Sequence, residues 1–396
     1  METFKTIDEC FYLIQNGANI KQGQINGGYP ITRIETISND KFNRDKVGYA
    51  GIFELGKYAS YVLEDGDLLM SHINSPQYLG RTVLYKKKDS EIIIHGMNLL
   101  RLKANVEIIN PGFARYLFYS VPFRRQIAKI TKKSVNQASF SINDLKKVSI
   151  VIPSLSVQEK IVKKLNSAIS VRNYYEKQIE LLDELVKARF VEMFGNPVTN
   201  DMLWNIDVLK DICTKIGSGS TPRGGKESYI DEGISLIRSM NVHNAYFEYK
   251  DLAHITLDQA EKLNNVVVEY DDLLFNITGA SVARCCVVPS DVLPARVNQH
   301  VCILRCREKI NPIFLQRLLV NENYQGKLLQ IAKSGATREA INKQQLESLE
   351  IMIPPLELQN QFASFVKEID KSRSRIQKSL EASQELFDSL MQEYFG

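Results

Sequence analysis

The sequence predicts an α/β protein in which two mixed, mostly antiparallel α/β domains are joined by two long helices forming a coiled coil, the whole plan being stated twice. Three observations carry this. The segment IVIPSLSVQEKIV (Ile150 to Val162) returns as IMIPPLELQNQFA (Ile351 to Ala363), with Pro153 and Pro354 standing 201 positions apart. EMFG, ending at Gly195, returns as EYFG, ending at Gly396, at the same offset. Between those landmarks each copy runs without glycine or proline, its apolar residues spaced as a heptad ladder. A long repeat present in two copies implies two similar folded modules, unlike the many short units of a solenoid.

A chain of 396 residues can supply both modules with a core. Its 44% hydrophobic and 24% charged residues are those of a soluble globular protein. No run approaches the roughly 18 apolar residues that span a bilayer. METFKTIDEC lacks an apolar segment, so no signal peptide is expected. Cys10 is isolated, and Cys213, Cys285, Cys286, Cys302 and Cys306 lie in or beside apolar runs, a pattern of reduced thiols in a cytoplasmic protein. The net charge of +4 permits a nucleic-acid partner without requiring one, so local clusters matter more.

The first domain is expected over residues 1–152 and the second over 196–353, with a linker at 196–205 where GNPVTNDMLWN has turn chemistry. Arg33 aligns with Arg238 and Asp67 with Asp272, both 205 apart, while Asn110-Pro111 and Asn311-Pro312 keep the offset of 201. Short apolar runs bounded by turn residues read as strands: Thr82 to Tyr85, Val266 to Thr278, Ala283 to Pro289 and His300 to Cys306. After each Asn-Pro the period becomes helical, over Pro111 to Ile130 and Pro312 to Ser334, with proline placed where it costs least.

Spacer helices are expected over 153–195 and 354–396. The first ladder is Ile161, Leu165, Ala168, Arg172, Tyr175, Ile179, Leu182, Val186, Arg189, Met193. Its copy is Phe362, Val366, Ile369, Arg373, Ile376, Leu380, Ser383, Phe387, Leu390, Tyr394. Each helix would be about 55–60 Å long at 1.5 Å per residue. A polar helix of that length needs a partner for its apolar stripe, and the nearest candidate is the other copy. Arg172 and Arg373 share one rung. Either each snorkels to the edge of the seam, or they fix its register.

Catalytic chemistry is scarce. GSGSTPRGGK (Gly217 to Lys226) has the composition of a phosphate-cradling loop but fails the P-loop spacing, which leaves a flexible polar loop or a DNA-contacting one using backbone amides, Ser218, Thr221, Arg223 and Lys226. His72, His95, His243, His254 and His300 show no zinc-protease or triad spacing. Cys302 and Cys306 would be a metal pair only with two further ligands, so no metal is expected. Neither a dinucleotide fingerprint nor the Asn/Asp-Pro-Pro-aromatic tetrapeptide of amino-methyltransferases is present. The basic polar stretches Phe123 to Ile142 and Leu328 to Ile341 recur at the same place in both copies and mix cations with Ser, Thr, Asn and Gln, the side chains that hold phosphates and read base edges.

SFSINDLKKVSIVIPSLSVQEKIV, REAINKQQLESLEIMIPPLELQNQFA, the closing EMFG and EYFG, the GSGSTPRGG…GISLIR stretch and VNQHVCILRC together resemble the specificity subunits of type I restriction–modification systems, over essentially the whole chain. INGGYPITRI stands where the second half has the Thr-Pro stretch. The resemblance implies a subunit with no active site and no cofactor of its own. It would read two half-sites in double-stranded DNA across an unread spacer, and its two helices, paired antiparallel, would dock two methyltransferase subunits and through them restriction subunits. S-adenosylmethionine and ATP would act on those partners. Phosphate contacts are then expected from Lys132, Lys133, Arg223, Lys226, Lys333 and Arg338, and base reading from Asn74, Asn136, Thr221, Asn276, Thr278 and Thr337. Other readings are the equivalent subunit of an assembly with fused methylation and cleavage, a coiled-coil scaffold whose loops bind protein, and an enzyme using the Gly-rich loop with ATP.

Overall fold

In the computed structural model, residues 3–20, 27–38, 41–133, 137–222, 224–333 and 339–396 are described. The chain divides into two compact units. One comprises Met1–Glu176 with Lys378–Gly396, the other Lys177–Gln377. Among the described residues no helix is long and apolar enough to cross a membrane.

Both units are built on the same four-stranded antiparallel sheet. In the first, the order is Phe11–Asn16, Leu99–Ala104, Leu68–Ser71, Thr82–Leu84. In the second it is Cys213–Ser218, Val301–Cys306, Leu273–Asn276, Cys285–Val287. A buried ion pair braces each: Arg101 Nη2 lies 2.6 Å from Asp67, and the Arg305 fork reaches Asp272 through two bonds of 2.8 Å. This explains why the two aspartates align. A second pairing closes each unit, Thr3–Thr6 against Ser149–Ile152 and Asn205–Val208 against Glu350–Ile353. The units differ between the first and third core strands. There, and again at Ala295–Val297, the second unit adds strands of a four-stranded sheet with its own core, whereas the described residues of the first form two-stranded pairs there, Pro30–Ile31 with Gly48–Tyr49 and Ile37–Ser38 with Lys41–Phe42. The offset is still 205 at Asp67 and Asp272, where the third core strands begin, and returns to 201 at Asn110 and Asn311, so the loops after that strand differ in length as well. Among the named strands only Ile234–Ile237 and Ala295–Val297 pair in parallel.

The helical stretches after Asn110 and Asn311 are each two helices, not one: Pro111–Tyr119 then Val121–Ile130, and Pro312–Leu319 then Glu322–Lys333. Ser120 ends the first and caps the second, with Pro122 in its first turn, where a missing N–H is harmless. Asn110 and Asn311 cap their helices through side-chain oxygens.

The long helices run Leu155–Phe194 and Leu356–Phe395. Within each unit the two segments are antiparallel. In the first, Lys164 bonds Tyr394 and Arg172 bonds Gln384; in the second, Arg373 pairs with Asp183 and Phe362 packs on Phe190. Ile161, Leu165, Phe362, Val366 and Phe387 are buried and join the domain cores, while Tyr175, Ile179, Leu182, Ile376 and Leu380 are half-buried and belong to neither core. The ladder slips near its ends. Phe190 and Phe194 are buried where Arg189 and Met193 were expected, and Phe395 is buried beside Tyr394. There the helix faces a domain, and an unstrained helix of 3.6 residues per turn drifts off a 3.5-residue seam.

Each domain core is therefore finished by the end of the other repeat's helix. Phe395 lies 5.2 Å from Phe113 in the first unit, and Phe194 lies 4.8 Å from Phe314 in the second. These pairs are copies at the offset of 201. The doubled Phe-Gly ending thus records a packing requirement.

Candidate nucleic-acid interface

In both units the polar residues singled out from sequence gather at one end of the core sheet, where its first and third strands finish. In the first unit the chain leaves the third core strand at Ser71 and forms Ile73–Asn74, which pairs with Ala138–Ser139, itself paired with Lys132–Lys133. This ribbon brings Asn74, Lys132 and Lys133 together. Both lysines are exposed, and among the described residues neither has an ion-pair partner. Asn74 accepts from the amide of Ser75 at 2.7 Å, which turns the chain, and its Nδ2 is 3.4 Å from Ser71 Oγ. Beside the ribbon lies a recess of about 420 Å³ lined by Asn16, His72, Lys132, Ser139 and Asn143. His72 is 6% exposed, and burial pushes its ring down to about 4, so it lines the recess as a neutral group.

The second unit repeats the pairing with less of it in regular strand. Thr278 bridges Ala340, as Ile73 pairs with Ser139, and the amide of Ile341 donates to Ile277 as that of Phe140 does to His72. Lys333, the repeat equivalent of Lys132, ends its helix, exposed, with Nζ 4.0 Å from Glu339. Thr221 Oγ1 donates to Gln299 Oε1, Gln299 Nε2 is 3.2 Å from His300 Nε2, and His300 Nδ1 is 2.6 Å from Thr278 Oγ1. That chain of bonds joins the Gly-rich loop to that end of the sheet. Gln299 and His300 were missed as site residues because the link is tertiary and no spacing announces it. Ser218 ends the first core strand, half-buried, and Lys226 is exposed on the following turn, Gly225–Ser228.

One expectation is corrected. Asn276 is fully buried; its Nδ2 donates to Ser239 O at 2.9 Å and to Val242 O at 3.4 Å. It ties the segment 239–242 to the third core strand, and its burial keeps it from a base. Asn136, Arg223, Thr337 and Arg338 lie outside the described residues. In the Gly-rich loop, a Cβ on Gly219 would meet Val297 O at 1.8 Å, and one on Gly17, at the same place in the first unit, would meet Gly96 O at 1.9 Å. These two glycines serve close backbone approach. Among the described residues no group of His, Cys, Asp and Glu is placed to hold a metal ion.

The doubled α/β unit with shared helices is the architecture of known DNA-specificity subunits. Solved structures share it: the S subunit of a type I restriction–modification system from M. genitalium aligns over 100% of this chain and 96% of its own, with a TM-score of 0.61 at 14% identity. A chain solved in a study of complex assembly and conformational transition of the type I system aligns over 100% and 97%, with a TM-score of 0.56 at 18% identity. The model of the type I restriction modification DNA specificity domain matches twice, at residues 2–182 and 203–384. The chain belongs to this family: it is a specificity subunit of a type I restriction–modification system, a component without an active site. A putative type I restriction enzyme MjaX specificity subunit of Methanocaldococcus jannaschii is 29% identical over 95% of this chain and 90% of its own length. The EcoKI specificity subunit of Escherichia coli is 23% identical over 42% of this chain and 36% of its own.

Proposed function

We propose that the chain selects, in the cytoplasm, the DNA on which its system acts, reading a two-part target with one half-site per unit. The observation that supports this most directly is the recurrence of one polar sheet end in two units whose intervening segments differ. Equal scaffolds with unequal surfaces suit two unequal half-sites. Lys132, Lys133, Lys226 and Lys333 are exposed cations suited to phosphates, and Asn74, Thr221 and Thr278 are polar groups suited to base edges. Ser218 can add a backbone or hydroxyl contact beside Thr221. Arg223, Arg338, Asn136 and Thr337 complete the same stretches in sequence.

The long helices would carry two methyltransferase subunits and, through them, restriction subunits. In support, they keep apolar side chains exposed, Val157 and Val171 in the first unit and Leu181 and Leu185 in the second. Mapping the sites methylated when this chain is expressed with its modification subunit tests the reading. Two short motifs separated by an unread gap are expected. A continuous motif would contradict the two-reader function.

A further inference from the structure

Resting on that DNA-reading function, the arginine that precedes the fourth core strand of each unit acquires a role. Arg81 immediately precedes the strand Thr82–Leu84, and Arg284 immediately precedes Cys285–Val287. Their backbones are superposable in pattern. The carbonyl of Arg81 accepts from Ser71 N at 2.9 Å, and that of Arg284 from Asn276 N at 2.9 Å. The residue before each, Gly80 or Ala283, donates back to Ser71 O or Asn276 O at 2.8 Å. Gly80 has φ +75° and Ala283 φ +67°. A left-handed alanine is costly, so the second unit keeps this turn even without glycine. The turn places each arginine at the start of the fourth core strand, beside the end of the third strand, which leads into Asn74 or Thr278.

Each guanidinium is also propped by a ring. That of Arg81 lies 4.8 Å from the centre of the Tyr78 ring. Arg284 Nη1 is 3.4 Å from His243 Nδ1, and His243 stacks on Tyr246 at 4.6 Å and 13°. Both arginines are half-buried, and among the described residues Arg284 has no carboxylate within ion-pair distance. A guanidinium held against a ring loses less freedom when it binds an anion. Around these two positions almost everything else differs between the units, His72 against Ile277 and Ile73 against Thr278 among them. A cation kept where the reading surface changes belongs to a contact that does not depend on sequence.

We infer that Arg81 and Arg284 are equivalent DNA-phosphate anchors, one in each unit, that set the reader on the duplex before bases are read. The test uses the full-length chain and a random-sequence duplex, with affinity measured as a function of salt. Each lost phosphate contact should reduce the slope of log affinity against log salt by about 0.9. Arg81→Ala and Arg284→Ala should each give that reduction, and the double variant about twice it. Arg81→Lys and Arg284→Lys should restore most of the slope, since a point charge satisfies a phosphate. An unchanged slope in folded alanine variants, checked by thermal melting, would overturn the inference. So would alanine variants that, in the methylation map, lose preference for guanine at one target position alone, because an arginine that reads a base contributes to specificity rather than to every duplex. If the unsubstituted chain shows no salt-dependent DNA binding, the DNA-reading function itself fails, which is a separate result.

Discussion

At the scale of single residues, the repeat is enforced by buried polar side chains. Gln158 and Gln359 are fully buried and make the same bonds. The amide of Asn110 or Asn311 donates to the glutamine oxygen at 2.8 Å, and the glutamine NH2 donates to the carbonyls of Ile108 and Pro153, or Lys309 and Pro354. Each glutamine thereby locks the start of its long helix to the helical layer of its domain. Gln359→Ala should cost about 2 kcal/mol in a urea melt, because it strands a buried donor and acceptors. A shift within error would show that water replaces the amide freely. Burial also sets an acid limit. It pushes His72 down to about 4 and His95 to about 3, below the ordinary 6.5. The unfolded chain therefore takes up these protons first, and the stability present above about 6.5 is lost as pH falls towards 4 and 3. His95→Leu should flatten that decline in stability measured across the window, and an unaltered slope would exclude His95 as its source.

At the scale of elements, the ends of the helices do most of the packing. Phe395→Ala should cost about 3 kcal/mol, the usual range for an aromatic deleted from a core. Hydrogen exchange should accelerate in Leu68–Ser71 and Leu99–Ala104, nearly the whole chain away in sequence, and stay unchanged in the sheet of the second unit. Uniform acceleration across both sheets would show that the units do not unfold separately. The shared rung of the ladders is chemically unequal. Across the seam Arg172 bonds the neutral Gln384 and meets a carboxylate only on its own helix, Glu176 at 3.6 Å, whereas Arg373 pairs across it with Asp183, beside Asp370 and the largely buried Arg317. Both reach across to the other helix, as register-fixing residues do. Arg373→Leu leaves carboxylates uncompensated and should cost about 2 kcal/mol, against less than about 1 kcal/mol for Arg172→Leu in the same melts. Equal costs would argue that both merely snorkel.

At the scale of the whole molecule, the repeat was legible because each copy spells the same local signals. Asn-Pro starts a helix, Pro-x-Leu ends a strand and opens a long helix, and Phe-Gly ends it. The candidate interface was only half legible. Lys132, Lys133 and Asn74 carry the signal of polar cations near turns, and the ribbon unites them. Asn276 carries the same letter code as a base reader, yet its position on a central strand buries it. Arg81 and Arg284 were legible in principle, as GRTVL against ARCCV, but their offset falls between 201 and 205 and no single shift aligns them.

By itself the sequence determined the two modules, the two helices with their seam, the membership in a family of DNA-specificity subunits and the absence of familiar catalytic spacings. All of these rest on periodicity and on residues close together along the chain. Only the tertiary structure decided which domain each helix end completes, which polar side chains face solvent and which are spent inside, and that Thr221 is tied to Thr278 through Gln299 and His300. Those depend on contacts between distant segments, where burial and hydrogen-bond competition are settled by the fold rather than by neighbours in sequence.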